Sequence, residues 1–117
     1  MAEKTKQEFI REKAHQNQDD PEGAKILWSR HGTTELANEG WTRIPVETAL
    51  QECEVIEDYP EVHRPLPDCL VLAYFDDKKP LHVVIAIDEQ NDRLIIVTVY
   101  QPNSEEWNDD WRTRKTK

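Results

Sequence analysis

Glycine is scarce in this chain: Gly23, Gly32 and Gly40 are the only three among 117 residues. They are too far apart to build a phosphate-cradling loop, so nucleotide chemistry of that kind is excluded. Cysteine is nearly absent as well. Cys53 and Cys69 can form at most one bridge, too few for a disulfide scaffold, and in a reducing compartment they read as small core hydrophobes. Together with His15, His31, His63 and His82 they show no CxxC, HxxxH or HExxH spacing, so neither a metal centre nor any other cofactor is expected. No serine or cysteine nucleophile has a base close to it in sequence. Long hydrophobic runs are also missing: residues 69–75 and 81–87 are seven residues each, against roughly 20 for a bilayer crossing. The first twenty residues are polar and hold no leader-like apolar run, so a cytosolic protein is expected.

Positive charge is in deficit, with 15 Lys+Arg against 24 Asp+Glu and a formal net charge of −9. The excess is not spread evenly. Residues 26–102 carry 6 basic and 14 acidic side chains, whereas the segments before and after are close to neutral. An extensive RNA surface is therefore disfavoured, because phosphate binding draws its electrostatic free energy from Lys and Arg. A basic protein is the better match as a partner.

What is present suffices for one domain, since 37% of the residues are hydrophobic. Residues 1–25 read as a polar arm in which Thr5 and Glu8 form a capping box and a short helix from about residue 6 to 15 is predicted. Residues 26–117 read as a single α+β domain. Ser29 is a candidate N-cap and Gly40 a helix stop. Val46, Ala49, Leu50 and Cys53 then repeat as one buried helical stripe after Pro45. Residues 54–59 alternate as a strand, and Pro60, Pro65 and Pro67 force an irregular connection containing His63 and Arg64. Three further strands, about 69–75, 81–88 and 93–100, are joined by four-residue polar linkers that suit hairpins. The fold expected is thus a meander of about four antiparallel strands with two or three helices. A helix after Pro102 would be pinned by Trp107 and Trp111.

Symmetric closure of the linkers pairs Phe75 with Pro80 and Asp88 with Arg93. His82 then faces Ala73 and Val99, and Tyr100 points to the opposite face unless a bulge near Thr98 re-aims it. Both sheet faces are largely apolar, so both should be covered, by helices or by another subunit. A homodimer is the expectation if the second face stays open.

Trp28-Ser29-Arg30-His31, Val55-Ile56-Glu57-Asp58-Tyr59-Pro60, Cys69-Leu70-Val71-Leu72, Pro80-Leu81-His82-Val83-Val84 and Ile96-Val97-Thr98-Val99-Tyr100-Gln101-Pro102 together resemble the domain-of-unknown-function family DUF4258, over about residues 27–108. The resemblance implies helices packed on an antiparallel sheet, similar to small RelE-type and barnase-like ribonuclease toxin folds. It also implies a candidate site: His31 and His82 as acid and base, Arg30 as phosphate contact, and Tyr100, with Thr98 nearby, as supporting donor. Where that family usually places arginines after the first histidine, this chain has Glu35 and Glu39. Two cations exchanged for two anions remove the attraction for RNA phosphate.

Two functions follow as expectations. One is a non-catalytic or degenerate member acting as an interaction or regulatory module on a basic partner. The other is a toxin-like, metal-independent endoribonuclease of a toxin–antitoxin type system. The discriminating observation is whether Arg30, His31, His82 and Tyr100 converge on an open pocket, or whether His82 is buried and bonded to backbone.

Overall fold

The computed structural model describes residues 4–59 and 66–115. The proline-rich connection around His63 and Arg64 lies outside them. The described elements run α1 (Lys6–Asp19), β1 (Ile26–Trp28), α2 (Arg30–Glu39), α3 (Arg43–Ala49), β2 (Glu54–Tyr59), β3 (Asp68–Tyr74), β4 (Pro80–Asp88) and β5 (Arg93–Tyr100), with short 3₁₀ turns between some of them. The strands form one sheet in the order β1-β5-β4-β3-β2.

The chain is α+β, but the sheet is five-stranded and mixed rather than four-stranded and antiparallel. The added strand is β1, which pairs parallel to β5 through Ile26↔Leu94 and Trp28↔Ile96. Three residues are too few to display an alternation, so β1 reads in the sequence only as an apolar cluster.

The helix signals translate directly. Thr5 Oγ1 accepts from the Glu8 amide, capping α1, and Ser29 Oγ accepts from the Gly32 amide, capping α2. Gly40 ends α2 at φ 74, a left-handed conformation that suits glycine. Gly32 is needed for a second reason: a Cβ there would stand 2.7 Å from the Ile96 carbonyl oxygen, so only glycine lets α2 lie this close to β5.

The helices cover one sheet face. Phe9, Ile10 and Ala14 of α1, Leu36 of α2, and Val46 of α3 with Leu50 just beyond it pack on Cys69, Val71, Ala73, Leu81, Val83, Ile85, Ile87, Leu94, Ile96 and Val99. Residues expected as an arm thus reach the centre of this core: α1 extends to Asp19, and Ile10 has no exposed surface. Buried Lys13 on the same helix is matched by Asp92, Glu12 and the Gln16 side-chain oxygen. Lys13 and Lys25 hold the Asp92 carboxyl down at about 2. Both cysteines are free and buried, with their thiols pushed up to about 12 by desolvation, as core residues rather than reactive groups.

Part of the opposite face is covered by the chain itself. Leu70, Leu72 and His82 are at most 2% exposed, although among the described residues the helices pack on the other side. The cover is the segment after Pro102, where Trp107 is 1% exposed. The helix expected there does not form. Asn103 Oδ1 caps the amides of Glu105 and Glu106, but Asp110 Oδ1 then accepts from the amides of Arg112 and Thr113, and Trp111 takes a φ of 59. These local side-chain bonds compete with helix propagation and fold the segment back on itself. Trp107 bridges Arg114 in an antiparallel pair, supported by Asn108 N to Thr113 O and Lys115 N to Glu106 O. On this face Val84, Ile95, Thr98 and Tyr100 remain partly exposed beside the covered residues.

Candidate functional site

The position of His82 follows from strand register. The β3–β4 pairing sets Tyr74, not Phe75, opposite Pro80, because Lys78 adopts a φ of 68 and adds a residue to the turn. His82 therefore stands opposite Leu72 rather than Ala73, and shares its face with Leu70 and Leu72. On the other side, Asp88 pairs with Arg93 as expected. Between Val84 and Ile85 the register then shifts, leaving Val97 as an extra residue in β5. This bulge brings Tyr100, not Val99, opposite His82, and so places Tyr100 and Thr98 on the His82 face. Ser29 Oγ donates to the Val97 carbonyl and ties the start of α2 to the bulge.

A second bulge, between Val55 and Glu57 of β2, has a similar effect. Strict alternation would separate Glu54 from Glu57. With the bulge, Glu54, Glu57 and Tyr59 face the same side as Leu70 and Leu72.

The result is a compact polar cluster beneath the segment after β5. His82 Nδ1 lies 3.1 Å from the Tyr100 hydroxyl and Nε2 lies 2.6 Å from the Trp111 carbonyl oxygen. A carbonyl can only accept, so Nε2 carries the proton; in the neutral ring Nδ1 then accepts from Tyr100. The imidazole meets Trp107 edge to face at 4.4 Å and Tyr100 at 5.2 Å. Arg114 grips Glu57 with both arms, Nε to Oε2 at 2.6 Å and Nη2 to Oε1 at 3.0 Å, and stacks over Trp107 at 4.6 Å. Tyr59 donates to Glu57 Oε1 at 2.9 Å. Arg112 reaches Glu54 at 2.7 Å.

Burial pushes the His82 pKa below its ordinary 6.5, against the opposing pull of the Trp111 carbonyl and the Glu57 carboxylate. Arg114 holds the Glu57 carboxyl below its usual range, and burial raises the Tyr100 hydroxyl. The pH dependence follows in sign. The folded state resists protonating His82 while the unfolded state does not, so the unfolded chain binds more protons as pH drops. The contribution of His82 to stability is fully present above about 6.5, the ordinary value, and is lost as pH falls below it. Urea unfolding at a series of pH values should show this loss, and His82→Gln should flatten it; an unchanged slope in the variant would place the titration elsewhere.

The four residues singled out by resemblance do not converge. His82 and Tyr100 meet, but Arg30 and His31 are exposed on α2, whose buried Leu36 enters the core on the helix side. Neither is a hydrogen-bonding partner of the His82 ring. α2 packs through Leu36 on the Leu81, Val83 and Ile85 face, opposite His82, so His31 does not approach the imidazole. Glu39 has a local role, accepting from the Gln101 amide at 3.1 Å and joining the end of α2 to the end of β5. Glu57, Tyr59 and Arg114 belong to the cluster and were missed in the sequence. The Arg114-Trp107 and Glu57-Tyr59 spacings are ordinary, and only the bulge and the fold-back bring them together. Among the described residues no group of His, Cys, Asp and Glu is arranged to hold a metal ion, and no helix is long and apolar enough to cross a membrane.

No curated protein and no solved structure matches the chain. Residues 28–101, from the end of β1 through β5, match the family described as Domain of unknown function (DUF4258). That span holds β2 to β5, His82, Tyr100 and Glu57, and stops short of the segment that supplies Trp107, Trp111 and Arg114. With well over half its length matched, the chain belongs to the DUF4258 family.

Proposed function

We propose that this chain is a non-catalytic interaction module that engages a basic partner protein. The observation that carries the reading is the state of His82: it has no exposed surface, and both ring nitrogens are engaged within the protein. A general acid or base must reach the atom whose proton it moves. Arg30 and His31, which would have to supply the cation and the second imidazole, stand on α2 away from it. The acidic excess of residues 26–102 supports a cationic partner over a nucleic acid.

The reading is tested with purified full chain and single-stranded RNA. The expected result is intact RNA, with His82→Gln altering thermal stability alone. Cleavage that disappears in His82→Gln while the circular dichroism spectrum is retained would overturn it.

One observation favours the alternative, a toxin-like metal-independent endoribonuclease. Glu57, Tyr59, His82, Tyr100 and Arg114 form a set of potential bases, donors and a cation on one face. For that reading the segment carrying Trp111 has to leave His82 before substrate can approach.

A further inference from the structure

We infer that the groove between α3 and the β3–β4 turn is the docking site for a basic peptide segment carrying one large aliphatic or aromatic anchor. The inference rests on the interaction reading above and gives it a surface. The groove encloses about 1010 Å³. Its apolar walls come from Ile44, Pro45 and Ala49 on α3 and from Phe75 at the end of β3. Ile44 at 75% exposure and Tyr74 at 46% are the large hydrophobic residues left exposed in the described chain, and both line this groove. Single exposed apolar residues are ordinary, but their coincidence in one concavity is the pattern of a binding surface. The fold does not need Ile44 there: α3 is anchored by Val46, with Leu50 and Cys53 continuing the buried stripe just beyond its end.

Charge selects the occupant. Exposed Glu52, Asp76 and Asp77 stand on the rim against one lining guanidinium, Arg11, whose Nε is already bonded to the Cys53 carbonyl at 2.8 Å. Lys79 lies 3.9 Å from Asp77, whereas Glu52 and Asp76 pair with no cation among the described residues. A second copy of a chain with net charge −9 would bring like charges to this rim, and a polyphosphate backbone would do the same. A Lys/Arg-bearing segment supplies the missing cations while its anchor covers Ile44 and Phe75.

The experiment uses the intact chain and a library of short fluorescent peptides in which one Leu, Phe or Trp is flanked by Lys and Arg, read by anisotropy. Binding is expected, weaker with rising salt, and lost when the flanking residues become Glu or the anchor becomes Ser. Ile44→Asp should weaken binding about tenfold or more. Since Ile44 is exposed, this variant should keep its melting temperature. Glu52→Lys with Asp76→Lys should weaken binding and flatten its salt dependence. Equal affinity in Ile44→Asp and wild type overturns the groove while leaving the interaction reading standing. Failure of every basic peptide to bind overturns the groove. Absence of any basic partner in cross-linking with the full chain would overturn the interaction reading as well. A dimer in sedimentation that Ile44→Asp dissociates would assign the groove to a second copy and overturn the peptide.

Discussion

Replacing Trp107 with alanine is expected to lower the unfolding free energy by about 3–5 kcal/mol, the range for deleting a large aromatic ring from a packed site. The ring is 1% exposed. Its removal empties the space against the edge of His82 at 4.4 Å and takes away the surface over which Arg114 stacks at 4.6 Å. The losses are coupled, since the same segment delivers the Trp111 carbonyl to His82 and Arg114 to Glu57. Loosening it leaves a buried imidazole without its acceptor, which adds an unsatisfied polar group to the cavity. Leu70 and Leu72 would then become solvent-accessible. Chemical denaturation measures the stability, and binding of a hydrophobic dye reports the uncovered face. A change smaller than 1 kcal/mol would mean that the segment after β5 is a loose covering rather than a part of the core.

The second large effect concerns α1. Ile10→Ala is expected to cost about 2–5 kcal/mol, because Ile10 is fully buried and its truncation opens a cavity where α1 meets the sheet. An exposed-face substitution on the same helix, Glu8→Gln, serves as a control for helix propensity and should have a much smaller effect. Equilibrium unfolding followed by both far-ultraviolet circular dichroism and tryptophan fluorescence should show one coincident transition in the wild type. If α1 melted separately, or if Ile10→Ala were silent, the helix would be an appendage. The arm-like appearance of residues 1–25 comes from composition: Phe9 and Ile10 are the only large aliphatic or aromatic side chains after Met1. Two such side chains give too narrow a stripe to fold alone, yet they suffice when the sheet provides the other half of the contact. Asp92 and Glu47 supply further ties to Lys13 and Asn17.

These two expectations also separate the family domain from what surrounds it. The family match covers residues 28–101, whereas Ile10 and Trp107 both lie outside it. One closes the helix side of the sheet and the other closes the reverse side. A sheet that is apolar on both faces needs both covers.

Much of the local structure was legible because it is determined over a few residues. Thr5 with Glu8, Ser29 with Gly32, and Gly40 are caps whose chemistry is complete within one turn. The Val46, Leu50 and Cys53 stripe and the apolar runs of β3 to β5 are periodic enough to be read directly, and the pairing of Asp88 with Arg93 follows from them. The acidic excess and the lack of any metal-ligand spacing are likewise properties of the residues themselves.

Side-chain partnership was not legible, because it depends on register, and register turned on single residues. Lys78 in a left-handed conformation lengthens one turn, and Val97 bulges from β5. Each displaces the pattern by one position, and with a side-chain period of two that changes which residues share a face. The first placed His82 opposite Leu72 rather than Ala73, on the face away from the helices. The second delivered Tyr100 to it. The helix expected after Pro102 failed for a related reason: Asp110 satisfies amides that helix formation would have used, and the burial of Trp107 rewards the folded-back path. The sequence by itself thus determined the caps, the apolar strands and the sign of the surface. Only the tertiary structure decided that His82 is buried with both ring nitrogens hydrogen-bonded and that Ile44 stays exposed in a groove rimmed by Glu52, Asp76 and Asp77, because both outcomes depend on contacts between segments far apart in the chain.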